Sequence, residues 1–282
     1  MSNPSPVEPR RVPAAHGMAW VAQSFSLLRL QPARLLLIAL LMQMLLGLTQ
    51  LPLIGLLVIL SVPALSAGLL ESFHLTAAGG RPELRTLFKP LASRPHNGRL
   101  LAVGALVFAV GIVSMSLLLS GNEELMDPEL VERLNQGDLD AVASLNQEAL
   151  GQMVLAFLLG VSISGTLSYF AIPLIWFRHL GTGGALVTGL RALIVNWRPF
   201  LVLGLGLLLV FLPVAIISGI LFSAVGAGGL ATVVVMGLIM ALMLVFQMML
   251  FGTQYCAFRD VFGLGAETVP PADSSGPVSY TH

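Results

Sequence analysis

Six stretches of this chain are too long and too greasy for water to be their solvent. Apolar runs at about 33–50, 54–73, 100–119, 152–177, 200–222 and 230–257 each match the roughly 17–25 residues that a helix needs to cross about 30 Å of hydrocarbon. A peptide group left unbonded in oil is costly, so only helices and closed barrels span bilayers. Barrel strands alternate apolar and polar at period two, whereas these runs are apolar all round, which leaves helices. Composition agrees: 56% of the residues are apolar and 10% charged, far from the quarter or so charged in soluble domains. The expected fold class is all-α, a polytopic membrane protein with six transmembrane helices. Only Pro52 divides the first two.

Orientation follows from arginine and lysine, because the net charge of zero carries no information. Cytoplasmic loops collect these cations. With the N-terminus inside, 13 of the 14 Lys and Arg residues lie in or beside cytoplasmic segments, and Arg133 alone falls outside. Both termini are therefore expected in the cytoplasm and residues 121–151 in the periplasm of a bacterial inner membrane. Segments 1–16 and 264–282 are Pro-rich and polar and read as disordered cytoplasmic tails. The first lacks the apolar core and cleavage site of a signal peptide. Cys256, the sole cysteine, falls inside the last span and offers no disulfide framework.

The connector "NEELMDPELVERLNQGDLDAVASLNQEAL", residues 122–150, holds eight of the 14 acidic residues. Asp127, Pro128 and Glu129 read as N-cap, first-turn proline and an acid matched to the helix dipole, with Gly137 as the stop. Asp138 then caps a second helix over 139–150. A periplasmic helical hairpin is expected between spans 3 and 4, as a solvated connector, a cation-collecting vestibule or a docking surface for a periplasmic protein partner.

Three times the chain runs through a short amphipathic helix, a proline, a span going out and a span returning to polar residues. The short helices are expected at about 17–31, 82–93 and 184–197, with Pro32, Pro95 and Pro199 marking their ends. Leu84, Leu87, Phe88 and Leu91 would share one face of the second. In the third, Leu186, Val187, Leu190, Leu193, Ile194 and Trp197 lie opposite Arg191 and Asn196. Such helices suit the inner surface, where cations meet anionic headgroups. Arg29, Arg34, Arg85, Lys89, Arg191 and Arg198 are the candidate headgroup contacts. The pattern reads as a threefold internal repeat of a helix and two spans.

On the segments "WVAQSFSLLRLQPARLLLIALL", "PLIGLLVILSVPALSAGLLESFHLTAAGGRPELRTLFKPL" and "YCAFRDVFG", the chain resembles an uncharacterised family of six-span inner-membrane proteins of proteobacteria. More loosely, it is similar to the membrane domain that accompanies some bacterial glycerophosphodiester phosphodiesterases. The likeness covers most of residues 17–263, without the acidic insert or the tails. It implies six spans in the inner membrane. The phosphodiesterase activity belongs to a separate soluble domain and does not carry over.

Ionisable residues recur where the returning helices end: Glu71 and His74, Arg178 and His179, Arg259 and Asp260. Charged groups at a membrane boundary invite a functional reading. If the returning helices converge, the six form a polar cluster at the inner mouth of a cleft, with Glu71 paired to Arg178 or Arg259. The competing reading makes them interface anchors that snorkel to water. "GTGGALVTGL", residues 181–190, lacks the Lys-Ser/Thr ending and preceding strand of a phosphate loop and reads as a flexible turn. Ser162 and Ser164 have no intramembrane base within reach, and the small residues around them suit helix packing. No catalytic, cofactor or metal site is expected, and no nucleic-acid contact. Two function classes remain. One is a non-enzymatic structural or accessory protein contacting membrane lipids of the anionic inner leaflet; the alternative is a small transporter or lipid-handling protein with a cleft between repeats, lined by Gln43, Gln247 or the Glu71 cluster.

Overall fold

The computed structural model describes residues 7–120, 128–135, 147–223 and 230–264, and all regular structure among them is helical. The elements are α1 (His16–Leu30), α2 (Pro32–Gly47), α3 (Pro52–Ala77), a 3₁₀ segment (Leu84–Phe88) running into α4 (Lys89–Ala92), α5 (Arg94–Leu119), α6 (Pro128–Asn135), α7 (Gln147–Arg178), α8 (Thr182–Val195), α9 (Trp197–Ser223) and α10 (Leu230–Phe262). Helices α3, α5, α7, α9 and α10, and α2 together with the 3₁₀ turn Leu48–Gln50 that extends it, are long and apolar enough to cross a bilayer. The chain is an all-α, multi-pass membrane protein.

Prolines punctuate these helices as their chemistry dictates. Pro32, Pro52 and Pro95 each stand at the first or second position of a helix, where the missing N–H would have had no partner anyway. Leu51 is extended, at φ −91° and ψ 122°, and turns α2 into α3. Gly55 allows that turn to be tight, because a Cβ there would strike the Thr49 carbonyl. Pro199 lies in the first turn of α9, three residues beyond the break at Asn196.

We call the base the end where α2, α5 and α9 begin and where α3, α7 and α10 finish. The buried side chains collect there, among them Leu35, Ile38, Leu70, Phe73, Leu100, Phe170, Leu174, Leu203 and Phe258. Towards the far end Leu53, Leu117, Phe157, Ile220 and Val233 are all more than half exposed. Lipid tails are as apolar as leucine, so such surface needs no cover in a bilayer. The returning helices α3, α7 and α10 each touch the other two. Each short element caps a neighbouring pair: the 3₁₀ segment lies on α3 and α2, α8 on α7 and α5, and α1 on α10 and α9. The first short element thus docks on the last pair and closes the circle.

Several local expectations are corrected. Residues 82–93 form a 3₁₀ segment and one short turn of α-helix, not one amphipathic helix. Glu83 and Thr86 close a capping box at its start, and at three residues per turn the i, i+3, i+4 face falls apart. Leu87 is buried, while Leu84 and Phe88 point outward. "GTGGALVTGL" is not a turn: Gly181 is extended and α8 starts at Thr182. That helix turns its small residues Ala185, Gly189 and Ala192, with Asn196 just after it, inward. Its large side chains Val187, Leu190 and Ile194 face out, the arrangement expected when lipid is the solvent.

In the acidic insert, Pro128 opens α6 with Glu129 in its first turn. The Asp127 cap, the Gly137 stop, the Asp138 cap and most of the second helix lie outside the described residues. Positions 147–150, expected to end that second helix, form the first turn of α7. Nor is the stretch before α1 a loose tail from residue 7 onward. Val12 N–H donates to Asn196 Oδ1 at 2.9 Å, Asn196 Nδ2 donates to the Arg10 carbonyl at 3.0 Å, and Arg10 N–H donates to the Val261 carbonyl at 2.9 Å. The Asn196 amide, 1% exposed, pairs with this strap as a neighbouring peptide would.

Candidate functional site

The base is tied together by one polar contact or more between each pair of returning helices. Between α7 and α10 the tie begins with a proline. Pro173 has no N–H to give to the carbonyl four residues earlier, that of Tyr169, and Gln254 Nε2 donates to that carbonyl at 2.6 Å instead. Arg178 adds a second bond, from its guanidinium to the Phe262 carbonyl at 2.5 Å. Phe177 and Phe258 stack between the same helices with ring centres 5.7 Å apart.

Between α3 and α7 the tie is Glu71. Its Oε1 pairs with Lys89 Nζ at 2.5 Å and its Oε2 accepts the Trp176 indole N–H at 3.0 Å. The carboxylate is 9% exposed, and a buried charge is tolerable only when both its oxygens are engaged. The expected partner, Arg178 or Arg259, is not the actual one. Lys89 reaches Glu71 because the 3₁₀ segment lies directly on α3; Gly68, one turn earlier, admits the Leu87 carbonyl where any side chain would collide.

Between α3 and α10, His74 Nδ1 lies 3.2 Å from the Tyr255 hydroxyl, and the His74 ring packs 5.4 Å from Phe177. Arg259 stands over the Tyr255 ring at 5.9 Å and donates to Gln23 Oε1 of α1 at 3.0 Å. Asp260 Oδ2 takes His16 Nδ1 at 2.6 Å and the Trp20 indole N–H at 2.9 Å. His179, in the left-handed region at φ 57°, sits 2.7 Å from His96 Nε2, and its carbonyl accepts from Arg99. The six expected residues do gather at one end of the molecule. They serve several separate contacts there.

The expected headgroup contacts also divide. Arg29 stacks on Phe25 at 4.1 Å and Arg198 on Trp197 at 5.5 Å. Lys89 is committed to Glu71, and Arg85 to Glu83 at 2.5 Å. Arg191 is exposed on α8. Arg34 faces a hollow whose other cation, Arg81, has no helical periodicity to advertise it. Sequence reading also passed over Gln254, although Pro173 with a glutamine in a neighbouring span was the available signal.

Chemically, the base offers satisfied ion pairs and aromatic packing. No group of three or more His, Cys, Asp or Glu side chains converges among the described residues. Grooves of about 470 and 480 Å³ run along the two sides of the α5 and α7 pair, lined by Val113, Ala156, Leu159 and Gly160 among others, and include none of Gln43, Gln247 or Glu71. No family model, curated protein or solved structure matches the chain.

Proposed function

We propose that this chain is a non-enzymatic scaffold of a bacterial inner membrane, with its base at the cytoplasmic surface in contact with anionic phospholipid. Residues 122–150 then face the periplasm, where their acidic surface meets a protein partner. The observation that carries the reading is the pairwise tying of α3, α7 and α10. A carrier must open one end of its bundle in each cycle, and here opening the base breaks Glu71–Trp176, His74–Tyr255 and Gln254–Tyr169 together. The circular docking of the short elements on the three helix pairs supports an origin in three repeated units.

A lipid-handling reading has one observation in its favour, the apolar grooves beside α5 and α7. Reconstitution separates the two. Vesicles containing the protein and a headgroup-labelled fluorescent phospholipid are treated with a membrane-impermeant quencher. A scaffold leaves the inner-leaflet fluorescence protected, as in protein-free vesicles, whereas a lipid carrier exposes it.

A further inference from the structure

We propose that the hollow between the first turn of α2 and the loop 79–82 binds a phosphate group borne by a phospholipid, with Arg34 and Arg81 as its cationic partners. The inference rests on the reading above, which sets the start of α2 at the inner leaflet.

The hollow measures about 520 Å³ and is lined by Leu30, Gln31, Pro32, Ala33, Arg34 and Arg81. Two guanidinium groups face it and no carboxylate does. Arg34 makes only a 3.4 Å contact to the Pro82 carbonyl, and Arg81 makes no hydrogen bond or ion pair among the described residues. An adjoining hollow of about 580 Å³ shares Arg81 and also contains Arg85 and Lys89. Its other cations are already matched, Arg85 by Glu83, which lines the same hollow, and Lys89 by Glu71. The first hollow alone joins Arg81 to a second cation without an ion pair, Arg34, and has no carboxylate in its lining.

Guanidinium groups present paired N–H donors in the spacing of phosphate oxygens. The start of α2 contributes as well: no side chain caps it, and its first-turn N–H groups are further donors at the same place. Depth and lining favour a lipid over free phosphate. The apolar span begins at Pro32, so the hollow lies where hydrocarbon gives way to headgroups. Leu30, Pro32 and Ala33 supply the apolar wall that a glycerol backbone and its esters would touch.

The test is native mass spectrometry of the full chain, delipidated in mild detergent and then titrated separately with phosphatidylglycerol, phosphatidylethanolamine and inorganic phosphate. Four proteins are compared: wild type, Arg34→Gln/Arg81→Gln, Arg34→Lys/Arg81→Lys and Arg85→Gln. The expected result is tight uptake of one phospholipid by the wild type, weakened on the order of tenfold in the glutamine pair. The lysine pair should lose less, Arg85→Gln should match the wild type, and inorganic phosphate should not displace the lipid. Equal lipid uptake by all four proteins overturns the site while leaving the lipid-contacting scaffold in place. No phospholipid on the wild type overturns both. Inorganic phosphate bound with the same arginine dependence, and no lipid, overturns the lipid source. Thermal melting of each variant in the same detergent shows whether the fold is kept.

Discussion

Trp176 donates its indole N–H to Glu71 at 3.0 Å and thereby joins α7 to α3 at the base, while Lys89 occupies the other carboxylate oxygen. Three elements meet on one acidic side chain. Its removal and the removal of its partners are not equivalent.

Lys89→Ala strands a carboxylate that is 9% exposed. Breaking a fully buried pair costs about 3–5 kcal/mol, but Lys89 is 57% exposed, so a loss of about 1–2 kcal/mol is expected. Glu71→Gln should cost less, because it removes the charge along with its need for a partner. The double variant should be more stable than the sum of the two singles implies. Thermal unfolding in detergent, followed by tryptophan fluorescence, measures all three; strict additivity would contradict the pairing.

Gly68 and Gly111 are both helical glycines in spans. A Cβ at Gly68 would meet the Leu87 carbonyl, whereas nothing lies within 4 Å of one at Gly111. Gly68→Ala should lower stability by about 1–3 kcal/mol through backbone displacement. Gly111→Ala should be neutral or slightly stabilising. The same unfolding measurement checks both.

Asn196 holds the strap before α1 through bonds to residues 10 and 12. In Asn196→Ala the Val12 amide loses its acceptor, and about 1–2 kcal/mol of local protection should go with it. Hydrogen exchange by mass spectrometry should show roughly tenfold or greater acceleration over residues 10–12. The spans themselves should exchange as before.

The six spanning helices, and the proline-marked starts of α2, α3 and α5, were legible in the sequence, because in oil an all-round apolar run must satisfy its backbone within itself as a helix. The convergence of Glu71, Arg178 and Arg259 on one end was legible too, since all three terminate returning helices. Their partners were not. Pairing is set by the crossing of elements: Gly68 lets the Leu87 carbonyl close on α3, and this brings Lys89, not an arginine, to Glu71. The inward face of α8 was hidden for a related reason. Apolar size marks the core of a soluble helix, whereas here the small residues Gly189 and Ala192 face protein and Ile194 faces out. Gln254 bonds a carbonyl that only Pro173 sets free, a dependence between two spans that periodicity within one span cannot display.

The account turns on which side of the membrane the base occupies. In a chain whose single cysteine, Cys256, is replaced by serine, Ala78→Cys and Ser120→Cys place one exposed thiol at the base and one at the opposite end. A membrane-impermeant maleimide applied to intact cells with a permeable outer membrane should label the Ser120→Cys protein at once and the Ala78→Cys protein only after lysis. Immediate labelling at position 78, with protection at 120, would put the base and its arginines in the periplasm and contradict the account.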